Sequence, residues 1–189
     1  MYHLNEERIN EEKHFVILGN FVCGADDPLD RFLSDNAIEY DCQKMGNTYL
    51  IVEGDEILAF YTIRVNGIQI QTEKDGCNEF EVLPMLEIAR FAVNHDYQGH
   101  GLGKYVFYEK VLPKAIQISK IAAVQGIMAF VEPHNKRAIT FYERVGFCPA
   151  DSSVQKSITD IFNEECNLYV VSLEKAINKR KEFTPEEPS

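Results

Sequence analysis

The strand-like run Ala89-Arg90-Phe91-Ala92-Val93 leads through a short polar turn into Gln98-Gly99-His100-Gly101-Leu102-Gly103-Lys104, and a long helical pattern of apolar residues begins at Leu102. Strand, glycine turn and helix in that order constrain the fold more than any other feature of the chain. Glycines let backbone N–H groups converge at a helix start, where the helix field also favours negative charge, so the segment reads as a cradle for an anionic, pyrophosphate-sized group. Two common phosphate loops do not fit. The GxxxxGK[ST] spacing is absent, and a GxGxxG pattern starting at Gly99 would need glycine where Lys104 stands.

The remaining chain fills in a mixed α/β architecture, a central sheet covered by helices. His14–Leu18 reads as a first strand. Asp27-Pro28 has the form of a helix start, with Leu29, Phe32, Leu33 and Ala37 as the inward stripe. Thr48–Val52 and Ile57–Ile63 flank the polar turn Glu53-Gly54-Asp55-Glu56 and predict a hairpin that Ile68–Ile70 extends. Gln71–Glu81 reads as a loop and Met85–Val93 as a buried strand. The helix from Leu102 is expected to bend or divide at Pro113. Gly126–Val131 predicts another buried strand, residues 135–145 a helix ended by Gly146, Phe147 the start of a short strand, and Asn167–Leu173 a late one. Hairpin pairing in the first half and βαβ crossovers in the second give a mixed sheet.

One domain over residues 1–176 and a charged tail over 177–189, whose last residues are expected to be mobile, accommodate all 189 residues. No apolar run approaches the roughly 20 residues needed to cross a bilayer, and the acidic start Met1–Arg8 lacks a basic region leading into a secretion core. The expectation is a cytoplasmic protein without a membrane partner. The five cysteines include no C-x-x-C pair, which argues against a disulfide framework or a cysteine zinc site. His95, His100 and His134 lack metal-ligand spacing, so no metal is expected. The net charge of −11 disfavours long-range attraction to a nucleic-acid backbone, and the charge-based expectation is no DNA partner.

The signature Gln98-Gly99-His100-Gly101-Leu102-Gly103 after the strand Ala89–Val93, together with Asn135-Lys136-Arg137-Ala138-Ile139-Thr140-Phe141-Tyr142-Glu143-Arg144-Val145-Gly146-Phe147, resembles the Gcn5-related N-acetyltransferase family. The resemblance extends over most of Phe15–Leu173. It implies a splayed mixed sheet with acetyl-CoA as cosubstrate. Backbone groups near Phe91, Ala92 and Val93 would pair with pantetheine, and N–H groups of Gln98, Gly99, His100, Gly101, Leu102, Gly103 and Lys104 would meet the pyrophosphate. Asn135 would lie near pantetheine and Tyr142 near the thioester sulfur. Cys23-Gly24 followed by Leu29-Asp30-Arg31-Phe32-Leu33, with Arg90–Val93, also resembles the acetyltransferase toxins of toxin–antitoxin pairs, which act on aminoacyl-tRNA.

Acetyl transfer to an amine needs a neutral nucleophile, a polarised carbonyl and a proton for the departing thiolate. Tyr142 is the candidate acid and a main-chain N–H near Val93 the candidate carbonyl donor. Glu87 is the named base candidate, with Glu79, Glu81 or an intrinsically neutral amine as alternatives. Cys23, Cys77 and Cys148 leave a covalent route open, but direct transfer in a ternary complex is simpler. Arg90 is expected to satisfy a carboxylate, and Lys175, Lys179, Arg180 and Lys181 to be solvated. The expected acceptor is a primary amine of a small molecule or peptide. The alternatives are aminoacyl-tRNA, with an antitoxin-like partner, or a non-catalytic acyl-CoA-binding role. A homodimer is left open.

Overall fold

The computed structural model describes residues 4–24, 27–74, 77–152, 154–155 and 166–183, with the side chains of 72–74, 77 and 78 outside that description. The strands are β1 (Asn5–Arg8), β2 (Asn47–Glu53), β3 (Glu56–Lys74), β4 (Cys77–Val93), β5 (Gly126–Val131), β6 (Cys148–Pro149) and β7 (Asn167–Ser172). They pair in the order β1-β2-β3-β4-β5-β7-β6. The sheet is mixed: β1, β2 and β3 run antiparallel, β4 and β5 parallel, and β5, β7 and β6 antiparallel again. The mixed α/β class expected from the strand and helix patterns is therefore the observed one. The chain divides into two compact units, one formed by residues 1–64, 88–111 and 183–189, the other by 65–87 and 112–182.

In the first unit, the run expected as a strand at His14–Leu18 is instead part of helix α1 (Glu11–Leu18). A local cap overrides the β-branched run. Asn10 Oδ1 accepts from the Lys13 N–H at 3.0 Å, the Asn10 N–H donates to His14 Nδ1 at 3.0 Å, and Glu11 and Glu12 occupy the first turn. Phe15 and Val16 are left 68% and 82% exposed while His14 and Leu18, one turn apart, are buried. The sheet's first strand is β1, which the acidic amino-terminal composition does not suggest.

Asp27 caps α2 (Pro28–Arg31) by accepting from the Leu29 N–H at 2.9 Å, with Pro28 in the first turn, as the Asp-Pro pair predicts. The helix passes through a π turn at Phe32–Asn36 into α3 (Ala37–Cys42). Phe32, Leu33 and Ala37 are buried with Leu18, Phe21, Leu50, Phe60 and Ala92 in one core. The β2–β3 hairpin closes at Glu53–Glu56 as expected. After α4 (Leu102–Val106), a π turn at Phe107–Val111 absorbs the irregularity before Pro113, which lacks an N–H and crowds the preceding carbonyls.

In the second unit, β4 and β5 pair over Met85–Gly126 to Glu87–Met128, and β5 pairs with β7 from Gly126–Ser172 to Val131–Asn167. Its core holds Ile68, Met85, Met128 and Leu168. The expected loop Gln71–Glu81 is strand on both sides, since β3 continues to Lys74 and β4 begins at Cys77; Asp75-Gly76 lies outside the described residues. Polar residues extend these strands because their neighbours supply the backbone partners that local composition cannot reveal. Helices α5 (Leu112–Ser119), α6 (Lys136–Arg144) and α7 (Leu173–Arg180) also belong to this unit. The tail expected from residue 177 is thus helical to Arg180. Ser172 caps α7 by accepting from the Lys175 N–H at 3.2 Å, and Ala176 is buried.

Gly126 leaves no room for a side chain. A Cβ there would come within 2.5 Å of the Val171 carbonyl oxygen and 2.9 Å of Met85 Cε. Gly126→Ala should destabilise the fold by about 2–3 kcal/mol, because a backbone oxygen cannot give way cheaply. The expected thermal midpoint falls by roughly 4–12 °C; an unchanged melting curve would show that the strands relax there.

Candidate active site

The glycine turn is built in the first unit. Val93 ends β4, and buried Asn94 ties the turn to β3: its N–H donates to the Leu58 carbonyl at 2.8 Å, its Nδ2 to the Ile57 carbonyl at 3.2 Å, and its Oδ1 accepts from the Asp96 N–H at 3.2 Å. The His95 N–H donates to the Val22 carbonyl at 2.8 Å. Gln98 then reaches back, its Nε2 donating to the Val93 carbonyl at 2.7 Å and the Cys23 carbonyl at 2.8 Å, while buried Oε1 has no partner among the described residues. The Gln98 side chain therefore fixes the shape of the turn. Sequence reading missed Asn94, whose signal was the cap position before His95-Asp96-Tyr97.

Gly99 and Gly101 adopt φ values of +86° and +82°, and a Cβ at either position would meet nothing within 4 Å. Their absent side chains leave open space above the backbone. Leu102, Gly103 and Lys104 form the first helical turn, whose N–H groups have no acceptor within the helix. Gly103 sits in helical backbone, outside the positive-φ set. His100 and Lys104 are exposed, Leu102 and Ala92 buried, and Phe91 and Val93 half-buried. Glycines opening onto free space and a helix start whose N–H groups have no acceptor within the helix suit a large anion. Arg90 meets no carboxylate among the described residues: it lies over the Phe32 ring at 5.0 Å and donates to the Ala89 carbonyl at 2.6 Å.

The second unit carries Glu87, Tyr142 and Asn135. Tyr142, on α6, is buried with its ring edge-on to Phe141 and Phe147 at 5.1 and 5.0 Å. Burial, and then the negative charge of Glu87, push its hydroxyl well above the ordinary tyrosine pKa. It consequently stays protonated where an acid must hold its proton. Glu87 is 3% exposed, and Asn66 Nδ2 donates to its Oε2 at 2.6 Å. Glu79 and Glu81 are exposed, at least six residues and so about 20 Å up the strand. Asn135 caps α6, its Oδ1 accepting from the Ala138 N–H at 2.9 Å. Asn66 escaped sequence reading because no motif places it opposite Glu87.

Burial, and then Asp30 and Asp27, raise the Cys23 thiol far above its usual range, the reverse of an activated nucleophile. Cys148 is exposed, with Sγ 3.5 Å from the Val170 carbonyl, and the Cys77 side chain lies outside the described residues. His95 pairs with Asp96 and His134 with Glu132, both at 3.2 Å. Among the described residues, no group of three His, Cys, Asp or Glu is arranged to hold a metal ion, and no helix is long and apolar enough to cross a membrane.

The sequence profile of the Acetyltransferase (GNAT) family matches residues 21–147, a span that contains the glycine turn, Glu87 and Tyr142. The chain belongs to the GNAT acetyltransferase family. That membership makes it an acyl-CoA-dependent N-acetyltransferase. Its GNAT fold also resembles AtaTR bound with AcCoA, at 20% identity, covering 96% of this chain and 98% of that one with a TM-score of 0.72. AtaT complexed with acetyl-methionyl-tRNAfMet matches at 19% identity, 96% and 99% coverage and a TM-score of 0.69. The KacTA–DNA complex matches at 23% identity, 96% and 100% coverage and a TM-score of 0.67. This last likeness overturns the exclusion of DNA, because a protein of this GNAT fold occurs in a DNA-bound complex. Net charge is a sum over the surface and does not decide what a local face or an assembly binds.

Proposed function

We propose that this GNAT protein transfers acetyl from acetyl-CoA to the α-amino group of an aminoacyl-tRNA, the activity of an acetyltransferase toxin. The fold likeness to a tRNA-bound acetyltransferase supports that acceptor over the small-molecule or peptide amine expected from the charge of −11. Helix α6 carries the reading. It buries Tyr142 on its inner side, while Lys136, Arg137 and Arg144 are exposed and form no ion pair among the described residues. Arg137 and Arg144 are seven residues apart and share one face, a local cationic stripe on the helix that bears the acid. An acidic protein can hold a phosphate backbone on such a stripe.

In this reading the N–H groups from Gly99 to Lys104 hold the cosubstrate's pyrophosphate, and the β4 backbone at Phe91, Ala92 and Val93 with Asn135 align its pantetheine. Both substrates are present together. The amine nitrogen attacks the acetyl carbonyl carbon, whose developing oxyanion the Val93 N–H stabilises. The nitrogen–carbon bond forms as the carbon–sulfur bond breaks; the amine proton passes to Glu87 and the Tyr142 proton to the departing thiolate. Residues 1–176 act as one acetyltransferase domain, supported by a family match that draws on both units.

The test supplies labelled acetyl-CoA with charged tRNAs, free amino acids, peptides and polyamines. Acetyl should appear on aminoacyl-tRNA, and Arg137→Glu with Arg144→Glu should raise the KM for tRNA about tenfold or more at low salt while leaving the KM for acetyl-CoA unchanged. Efficient transfer to a free amine, insensitive to both charge reversals, would replace the tRNA reading.

A further inference from the structure

Glu87 poses a physical problem that the family motif does not address. The residue is 3% exposed and is paired in register with Met128 of β5, itself 1% exposed. A charge in such surroundings is costly unless hydrogen bonds hold it. The donor on the adjoining strand is Asn66, whose Nδ2 lies 2.6 Å from Glu87 Oε2. Asn66 is itself locked, because its Oδ1 accepts from the Gly67 N–H at 2.8 Å and so its amino side must face Glu87.

We infer that Asn66 is a positioning residue for acetyl transfer, holding the Glu87 carboxylate in the orientation that receives the proton of the acceptor amine. The inference rests on Glu87 having that role in the proposed function. A lysine or arginine in place of Asn66 would orient the carboxylate but neutralise it. A neutral amide orients one oxygen and leaves the charge with which the group attracts the proton. The titratable group facing Glu87 from α6 is Tyr142, whereas Asn66 of β3 and Met128 of β5 are neutral.

The test compares full-length wild type, Asn66→Ala and Asn66→Asp. Its readouts are the thermal midpoint, acetyl-CoA affinity, the pH profile of kcat and kcat/KM for aminoacyl-tRNA, and a carbon-13 carboxyl titration in which Glu87→Gln identifies the Glu87 resonance. Asn66→Ala should lower kcat by about 10- to 100-fold through loss of orientation, with acetyl-CoA affinity unchanged. Asn66→Asp puts a second carboxylate beside the first, and the acid limb should move up by about one pH unit. The Glu87 resonance should respond in both variants. Superimposable pH profiles and an unchanged Glu87 resonance would overturn the inference, as would rate losses that only follow the thermal midpoint. Should wild type acetylate no aminoacyl-tRNA, the acceptor reading fails while the carboxyl titration still decides whether Asn66 controls Glu87.

Discussion

Tyr142→Phe is expected to lower kcat for acetyl transfer by about 10²- to 10⁴-fold, the usual contribution of a positioned general acid. The substitution removes one oxygen and leaves the ring packed edge-on to Phe141 and Phe147 at 5.1 and 5.0 Å. Acetyl-CoA affinity and the thermal midpoint should therefore barely change, separating a chemical role from a packing one. Burial and the Glu87 charge keep the hydroxyl protonated, so no alkaline limb assignable to Tyr142 should appear below the ordinary tyrosine pKa of about 10. The check is single-turnover kinetics against pH for both proteins at saturating acetyl-CoA. A variant within about threefold of wild type, well short of a general acid's contribution, would remove Tyr142 from the proton transfer.

The second large effect is expected at the glycine turn. Gly101→Ala should weaken acetyl-CoA binding by about 10- to 100-fold, equivalent to roughly 1.4–2.7 kcal/mol, and destabilise the fold by about 1–2 kcal/mol because φ is +82°. Gly54→Ala in the β2–β3 turn, with φ +60°, is the matched control. Both positions offer a Cβ open space, so backbone strain is common to the pair. In the proposed function only Gly101 of the two meets the pyrophosphate. Calorimetric titration with acetyl-CoA alongside thermal melts distinguishes the effects; equal affinities in the two variants would reduce the turn to a structural device.

Much of this fold could be read directly from short-range pattern. Asp27-Pro28 predicts its helix, Gly54 its hairpin, Gly126–Val131 its buried strand and Asn135–Gly146 the helix that carries Tyr142, because caps, turns and periodicity act over a few residues. At His14–Leu18 two local signals compete. The Asn10 cap prevails over the Phe-Val-Ile run, whose Phe15 and Val16 remain in solvent. Across 71–81 the strands form on polar sequence because pairing with a neighbour supplies what composition does not.

The candidate site divides along the same line. By itself the sequence determined the glycine turn, the helix bearing Tyr142 and membership of an acetyltransferase family, since each depends on residue types at fixed spacing. Tertiary structure decided the environment in which those residues work. It buried Glu87, brought Asn66 to it across a separation of 21 residues, and turned Gln98 inward onto the Cys23 carbonyl, 75 residues away. It also left Arg137 and Arg144 exposed on an acidic protein. Burial, hydrogen bonding and local charge depend on which distant segments meet, and no spacing within one segment encodes that.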